Sequence, residues 1–198
     1  MPVALSSLIE QTKEDETLLS EILSSFSCSK DKDIESFLYN RAVQFDGLSK
    51  ARTYLICDEE QILSDGFSLD QLVIYGYISI APKILSVPPE TSTNKRKKLD
   101  GLSAKIHGKP ISDFPCYLIG QLAKNSNIEN NPLSGKELLQ FSCDIIQAAA
   151  DAVGGRYMMI ECHDNAKLIE FYTDNKFDEI SRMSDGETLL VQMIRQIY

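Results

Sequence analysis

Two neighbouring stretches of the sequence decide the fold. The first, Phe114-Pro-Cys-Tyr-Leu-Ile-Gly-Gln-Leu-Ala123, is an apolar run of the kind that favours a β-strand. The second, Leu133-Ser-Gly-Lys-Glu-Leu-Leu139, opens an amphipathic helix with Ser, Gly and Lys in its first turn. The first N–H groups of a helix have no acceptor within it, and the helix dipole favours an anion there. A strand, a polar loop and this helix start therefore predict a phosphate site.

Further strands and helices are predicted on both sides of these stretches. The predicted strands cover 53–57, 72–81, 157–162, 177–181 and 188–194, and the predicted helices cover 15–26, 33–43, 135–153 and 165–173. Gly154-Gly155 predicts the end of the longest helix. This order of elements predicts an α/β fold: a mixed β-sheet with helices on both faces, in which helix 135–153 crosses over between parallel neighbours.

The segment between the predicted strands at 72–81 and 114–123 breaks this pattern. Pro88-Pro89 and the basic cluster Lys95-Arg-Lys-Lys98 favour a polar insertion at about 84–112, with a short helix over 95–102. The basic cluster is interpreted either as solvated loop or as an anion contact. We expect a helical extension over 1–28 and one domain over 29–198, because too little sequence precedes the insertion for a separate core.

Composition narrows the class of protein. With 43% apolar and 25% charged residues, the chain is ordinary for a globular protein, and its net charge of −9 disfavours a nucleic-acid partner. No apolar run has the length of a membrane span, and Met1–Glu10 lacks the pattern of a secretory signal, so we expect a cytoplasmic protein. Five scattered cysteines predict buried, reduced thiols and no metal site.

Three segments resemble one known family. Tyr117-Leu-Ile-Gly-Gln-Leu-Ala123 is similar to the central strand of the GCN5-related N-acetyltransferases, the GNAT superfamily, which splays away from the next parallel strand. Asn130-Asn-Pro-Leu-Ser-Gly135 occupies the place of the family's Q/R-x-x-G-x-G/A pyrophosphate loop. Asp164-Asn-Ala-Lys-Leu-Ile-Glu-Phe-Tyr-Thr-Asp-Asn-Lys-Phe177 resembles the family's Asn/Ala, Phe-Tyr and Gly-Phe segment. The resemblance implies a centrally splayed sheet of the GNAT type.

The loop departs from the family pattern at two positions. Asn130 stands in place of Gln or Arg, and Leu133 stands in place of the first Gly, whereas Gly135 matches. A second interpretation of the same residues stays open, because Ser134 and Glu137 fit the S-x-x-E capping box. Such a box would use helix donors that a phosphate needs.

The resemblance implies acetyl-CoA as cosubstrate and a set of binding residues. Those implied for the cofactor are Leu122, Ala123, Lys124, Ser134, Gly135, Lys136 and Asn165. The first three would present strand backbone to the pantetheine arm, and the next three would hold the diphosphate at the helix start. Asn165 would bond the pantetheine amides or, alternatively, cap the helix that begins near Ala166.

The resemblance also implies the catalytic residues. Tyr172 matches the family tyrosine that protonates the departing thiolate, although packing against Phe171 is the alternative. Glu161 is the candidate base for the amine, with His163 as a second candidate. Glu161 is also interpretable as a solvated charge at a strand end, and His107 in the insertion is expected at the surface.

Three functions follow from this resemblance. The first is an acetyl-CoA-dependent N-acetyltransferase that acts on a primary amine of unknown identity by direct attack in a ternary complex. The second is a toxin-type enzyme that acetylates aminoacyl-tRNA, because Ala51-Arg-Thr-Tyr-Leu-Ile56 and neighbouring segments look like those toxins. The third is a degenerate acyl-CoA-binding domain without turnover. The final strand is a candidate edge for a homodimer.

Overall fold

The computed structural model describes residues 1–186 and 188–198 of the chain. Its helices are α1 (Leu5–Gln11), α2 (Glu16–Ser24), α3 (Lys32–Asn40), α4 (Ala42–Gly47), α5 (Glu59–Ile62), α6 (Thr93–Asp100), α7 (Gly135–Val153) and α8 (Ala166–Asp174). Its strands are β1 (Pro2–Ala4), β2 (Arg52–Cys57), β3 (Ile74–Ser86), β4 (Lys105–Ile106), β5 (Lys109–Pro110), β6 (Asp113–Lys124), β7 (Tyr157–His163), β8 (Asp178–Asp185) and β9 (Thr188–Gln196). Within these residues, no helix combines the length and apolar character needed to cross a bilayer.

Seven strands of the described ranges form one mixed sheet. Their order is β1-β2-β3-β6-β7-β9-β8, and β4 pairs with β5 in a separate hairpin. The predicted α/β fold with a mixed sheet is confirmed. Strand β6 occupies the centre of the order, and helix α7 connects it to its neighbour β7, as expected for a crossover helix.

The first compact unit consists of Met1–Ala81 and Ile119–Ala148. Helices α1 to α4 and strands β2 and β3 contribute apolar side chains to its core. Tyr77 of β3 is fully buried there, with its ring edge-on to Phe26 at 5.0 Å between centroids. Its hydroxyl donates to the carbonyl of Ile34 at 2.6 Å, so a polar bond also ties β3 to α3. This core holds β3 in place beside the end of β6.

The N-terminal segment takes part in the first unit. Strand β1 pairs with β2 in antiparallel register, with Val3 opposite Leu55. Leu5 and Leu8 of α1 are buried in the core cluster. The boundary at residue 28 between an extension and the domain stays a prediction, but these contacts make residues 1–28 part of the packed structure.

The second compact unit consists of Pro82–Leu118 and Ala149–Tyr198. Strand β9 lies between β7 and β8 and is antiparallel to both, with Met159 opposite Ile194. The final strand is therefore not a sheet edge, and the expectation that it could serve as the edge of a homodimer is wrong. A separate apolar cluster includes Leu85 and Phe114 together with Met159. Burying a side chain of this size contributes about 1.5–3 kcal/mol, so this cluster stabilises the second unit.

The insertion at 84–112 contains a short helix, as the sequence indicated. Helix α6 covers Thr93–Asp100, close to the helix predicted over 95–102, and the basic cluster lies on it rather than in a solvated loop. Arg96 is 3% exposed, and its guanidinium donates to the carbonyls of Thr91, Ile111, Pro88 and Pro89. The interpretation of Arg96 as solvated or as an anion contact is therefore wrong, because its donors bind the backbone.

All five cysteines are buried thiols outside disulfide bonds, as predicted. Burial raises the pKa of the Cys57 thiol to about 12 and that of Cys116 to about 11. These thiols stay protonated at neutral pH and act as small apolar side chains.

Candidate active site

The start of helix α7 contains a reciprocal capping box. The Ser134 N–H donates to the Glu137 carboxylate at 2.8 Å, and the Glu137 N–H donates to the Ser134 hydroxyl oxygen at 3.1 Å. Hydrogen bonding by the Ser134 side chain, and then by its backbone, lowers the pKa of Glu137, so the carboxylate is ionised at neutral pH. The capping interpretation that the sequence left open is realised in this structure.

Two backbone N–H groups of the same turn, between Ser134 and Glu137, take no part in the capping box. The N–H groups of Gly135 and Lys136 belong to the first helical positions, which have no acceptor within a helix. Across residues 1–186 and 188–198, neither group donates a hydrogen bond. The box therefore uses two donors and leaves two for an anion, while the positive charge of Lys124 also lowers the pKa of Glu137.

Asn131 fixes the loop that leads into this helix. Its side-chain amide donates to the carbonyl of Tyr75 at 2.7 Å and to that of Asn125 at 3.1 Å. Its carbonyl oxygen accepts from the Leu133 N–H at 3.0 Å. One side chain thus binds strand β3, the start of the loop and the residue before the helix cap. The sequence analysis did not identify this residue, although Asn131-Pro132 is a turn signal.

Asn125 anchors the other end of the loop. It is 4% exposed, and its amide donates to the carbonyls of Ile74 at 2.8 Å and Ser25 at 3.3 Å. Its carbonyl oxygen accepts from the N–H groups of Ser27 and Asn127, each at 3.0 Å. The loop after β6 is therefore hydrogen-bonded to the loop after α2, and both are held in defined conformations.

Leu133 replaces the first glycine of the family loop and packs against a glycine elsewhere. Leu133 is buried, and a Cβ atom at Gly76 would lie 2.9 Å from its Cδ2 and 2.7 Å from the Ala123 carbonyl oxygen. Gly76 of β3 thus provides the space that the leucine occupies. The departure at Leu133 is accommodated by an apolar contact, so it adds rigidity to the loop.

The three residues at the end of β6 lie directly before this loop. Ala123 is buried in the core, whereas Leu122 and Lys124 are half-buried. The Lys124 ammonium donates to the Asn131 carbonyl at 3.5 Å. Within the first unit, the end of β6 and the start of α7 are therefore joined by a loop with bonds at both ends.

Tyr172 of helix α8 is buried against two aromatic rings. Its ring packs edge-on against Phe171 at 5.1 Å and Phe177 at 5.7 Å. Only 8% of Tyr172 is exposed, and its hydroxyl forms no hydrogen bond with the described residues. Burial raises the pKa of Tyr172 to about 12, and nearby Cys162 adds to the rise. The packing interpretation is realised for the ring and leaves the hydroxyl available.

Asn165 caps helix α8. Its side-chain oxygen accepts from the N–H groups of Lys167 at 3.0 Å and Leu168 at 3.4 Å. This is the capping alternative that the sequence analysis left open. The amide nitrogen of the same side chain is not used by the cap, so it remains able to donate to a ligand.

Glu161 lies in a chain of polar side chains across β7, β9 and β8. One carboxylate oxygen accepts from the Gln192 amide at 2.9 Å, and the other lies 3.8 Å from the Lys83 ammonium. Gln192 is buried and in turn accepts from the Ser181 hydroxyl at 2.5 Å. Glu161 is therefore an oriented, partly buried carboxylate rather than a solvated strand-end charge.

Both histidines are exposed, at different places in the second unit. His163 is exposed at the end of β7, two residues from Glu161. His107 is exposed at the tip of the β4–β5 hairpin, with φ of 50° beside Gly108 at 79°. This turn places His107 at the surface, as predicted.

The candidate residues form two sets, each within its own unit. The first set contains Leu122, Ala123, Lys124, Ser134, Gly135 and Lys136. The second set contains Glu161, Asn165 and Tyr172 on β7 and α8. The first includes two unused N–H donors at a helix start, and the second includes a carboxylate and a phenol.

Comparison with known proteins gives matches among solved structures alone. No family model matches the chain, and no curated protein matches it. A tyrosine-to-phenylalanine variant of KacT has a TM-score of 0.62 at 18% identity, covering 90% of this chain and 89% of that one. AtaTR bound with AcCoA has a TM-score of 0.61 at 19% identity, covering 88% and 86%. These neighbours have the GNAT fold.

This chain has the GNAT fold. A third neighbour, AtaT complexed with acetyl-methionyl-tRNAfMet, has a TM-score of 0.58 at 20% identity and covers 85% of each chain. At identities this low, the likeness concerns the fold. The resemblance that the sequence analysis drew from three short segments therefore holds for the whole architecture.

Proposed function

We propose that this protein is an acetyl-CoA-dependent N-acetyltransferase that transfers the acetyl group to a primary amine by direct attack in a ternary complex. The observation that carries the proposal is the start of α7, where the Gly135 and Lys136 N–H groups are left unused beside an asparagine-anchored loop. In a GNAT fold this position follows the central strand, and it suits the cofactor diphosphate. Ser134 contributes the cap that orients these donors.

The pantetheine arm would extend from this diphosphate along the end of β6. The backbone of Leu122, Ala123 and Lys124 would pair with its amides. The amide nitrogen of Asn165 is a further proposed donor to the cofactor. Strand backbone suits this task because its N–H and C=O groups alternate along an extended ligand.

Tyr172 is the proposed donor to the departing thiolate. With its pKa raised to about 12, the phenol stays protonated through the whole neutral range. A free thiol has a pKa of about 8.5, so complete proton transfer from the resting tyrosine would cost about 5 kcal/mol. A hydrogen bond from the phenol to the developing thiolate stabilises it without that full cost. A hydroxyl without a hydrogen-bond partner among the described residues, carried on a ring that two aromatic neighbours hold, fits this role.

Glu161 is the proposed acceptor of the amine proton. Its bond to Gln192 orients the carboxylate, and Lys83 lies 3.8 Å from its other oxygen, longer than a direct hydrogen bond. A water between substrate and Glu161 would relay the proton. The side chain of Glu161 is 20% exposed, which allows this access.

Two measurements test the proposal. Calorimetry should detect acetyl-CoA binding, and CoA release should rise with one class of amine in a library. Tyr172→Phe should lower kcat about 100-fold with little change in acetyl-CoA Kd, because only the hydroxyl is removed. Tyr198→Phe, at an exposed residue of the same unit, is the matched control and should retain full activity. Binding without CoA release on any amine would instead favour a non-catalytic acyl-CoA-binding domain.

The amino group of an aminoacyl-tRNA is a second candidate acceptor. It is favoured by the likeness to AtaT, whose structure was solved with acetyl-methionyl-tRNAfMet, and by exposed lysines on the insertion. Acetylation of charged tRNA but not of free amino acids would support this acceptor. Acetylation of small amines alone would exclude it.

A further inference from the structure

One lysine of the second unit lies beside the carboxylate that is proposed as the base. The Lys83 ammonium is 3.8 Å from the Glu161 carboxylate, and the two side chains are 44% and 20% exposed. A lysine side chain is a primary amine, which is the chemical class proposed for the acceptor. Lys83 therefore places an amine of the chain itself next to the group that would deprotonate an acceptor.

The backbone of Lys83 is fixed, whereas its side chain extends from the strand into solvent. Lys83 lies on β3, and its carbonyl accepts from the Cys116 thiol of β6 at 3.4 Å. Burial, and then the Glu161 charge, raises the pKa of Cys116 to about 11, whereas the Lys83 charge lowers it. Both charges thus act on one thiol of β6, the strand between β3 and β7, so Lys83 and Glu161 share one face of the sheet.

The ion pair does not fix the Lys83 amine in place. At 3.8 Å its nitrogen and the carboxylate oxygen are farther apart than in a hydrogen bond, and solvent-exposed pairs contribute little to stability. The Lys83 ammonium donates no hydrogen bond to the described residues. Its flexible four-carbon stem lets the nitrogen move away from Glu161 and return. The amine is therefore able to reorient and react.

We propose that the protein acetylates its own Lys83, with acetyl-CoA as the donor and Glu161 as the base. Acetylation of Lys83 rests on the proposed function, because it uses the same donor and the same base. It extends that function to an acceptor within the chain, which would react when no other amine occupies the site.

This transfer needs no group beyond those already proposed. The Lys83 ammonium gives one proton to Glu161, and the neutral Nζ attacks the carbonyl carbon of the thioester. The C–N bond forms, the C–S bond breaks, and its electron pair leaves on the CoA sulfur. The nitrogen then releases a second proton, which the thiolate takes up while the Tyr172 hydroxyl stabilises it. The products are acetyl-lysine, CoA and one proton on Glu161, and the neutral acetyl-lysine no longer forms the ion pair.

Mass spectrometry of the full chain, incubated with acetyl-CoA and no added amine, tests the proposal. The intact mass should increase by one acetyl group, and peptide mapping should place this group on Lys83. Lys32 is the internal control, because it also pairs with a carboxylate, that of Glu35 at 3.0 Å, and is 71% exposed. Uncatalysed acetylation would favour the more exposed Lys32, whereas a base beside Lys83 should make Lys83 react about 100-fold faster.

Variants separate self-acetylation from chemical modification. Glu161→Gln and Tyr172→Phe should each slow acetylation of Lys83 about 100-fold, and thermal unfolding verifies that each variant is folded. Lys83→Arg should abolish the increase in mass, whereas Lys32→Arg, the matched control, should retain it. The rate constant should not change when the protein is diluted, because a reaction within one chain is first-order.

Several results would overturn the proposal. These are equal acetylation of Lys83 and Lys32, a rate constant proportional to protein concentration, and acetylation of Lys124 or Lys136 in place of Lys83. A wild type that releases CoA with an added amine but leaves Lys83 unmodified would overturn self-acetylation and leave the proposed function intact. A wild type that neither binds acetyl-CoA nor releases CoA would overturn both.

Discussion

Replacing Asn131 by alanine tests whether a fixed loop, rather than a glycine-rich one, presents the helix donors to acetyl-CoA. The change removes three hydrogen bonds, of 2.7 Å to the Tyr75 carbonyl, 3.1 Å to the Asn125 carbonyl and 3.0 Å from the Leu133 N–H. The loop would then lose its link to β3 at the residue that precedes the cap. The Gly135 and Lys136 donors would sample many orientations before they met the diphosphate.

The structure sets the size of the expected effect. Each bond contributes about 0.5–1.5 kcal/mol net. All three partners are backbone groups, and water can replace part of the hydrogen bonding that they lose in the variant. We therefore expect a loss of about 2 kcal/mol, which corresponds to an acetyl-CoA Kd about 30-fold higher. At saturating acetyl-CoA, kcat should stay within about threefold of the wild type, because Asn131 is a positioning residue and does not touch the reacting atoms.

Isothermal titration calorimetry measures the acetyl-CoA Kd, and steady-state kinetics measures KM and kcat separately. Asn127→Ala is the matched control, because this exposed side chain of the same loop donates a single bond, to Ser25 at 3.1 Å. Its Kd should change less than threefold. Asn131→Asp should be no better than alanine, since a carboxylate would face two carbonyl oxygens. An unchanged Kd in Asn131→Ala would refute the reasoning, whereas a wild type that does not bind acetyl-CoA would refute the proposed function itself.

The long helix and the central strand follow from local patterns. On α7, the buried residues Leu139, Cys143, Ile146 and Ala150 recur at helical spacing, and the predicted bounds 135–153 match the observed ones. The helix ends at glycine because Gly154 has φ of 84°, in the left-handed region that other residues avoid. The residues of each such pattern lie within one or two helical turns of one another, so the pattern can be recognised in the sequence alone.

The order of the insertion depends on contacts that local patterns do not contain. Arg96 is one of four consecutive basic residues, and its neighbours are exposed while it is buried. Its acceptors include the Pro88 and Pro89 carbonyls, and the Ile111 carbonyl lies 15 residues along the chain. Residues that break secondary structure in the sequence therefore supply the acceptors that fold the segment.

The candidate site was partly predictable for the same reason. The capping box of Ser134 and Glu137 spans one helical turn, so its S-x-x-E pattern is visible in the sequence. The bond of Asn131 to Tyr75 spans 56 residues, and the space that Gly76 leaves for Leu133 spans a similar distance. A glycine within a strand indicates a close approach, but only the folded sheet identifies what approaches.

Two further perturbations probe the packed structure. Arg96→Leu leaves four backbone carbonyls without donors and should lower the free energy of unfolding by about 3 kcal/mol or more in urea denaturation. Arg96→Lys should recover less than half of the lost free energy, because an ammonium does not reproduce the guanidinium fork. Glu35 accepts from the Cys28 N–H and the Ser27 hydroxyl, each at 2.8 Å, and these bonds hold its pKa at about 2. Because the folded pKa lies below the unfolded value of 4.5, this stabilisation is present above about pH 4.5 and is lost as the pH falls towards 2. Glu35→Gln should therefore lower Tm at about pH 6, and the difference from wild type should shrink by about pH 2.5. Glu129→Gln, at an exposed residue, should show no such dependence, and a Glu35→Gln difference that is constant with pH would show that these bonds do not stabilise the ionised carboxylate.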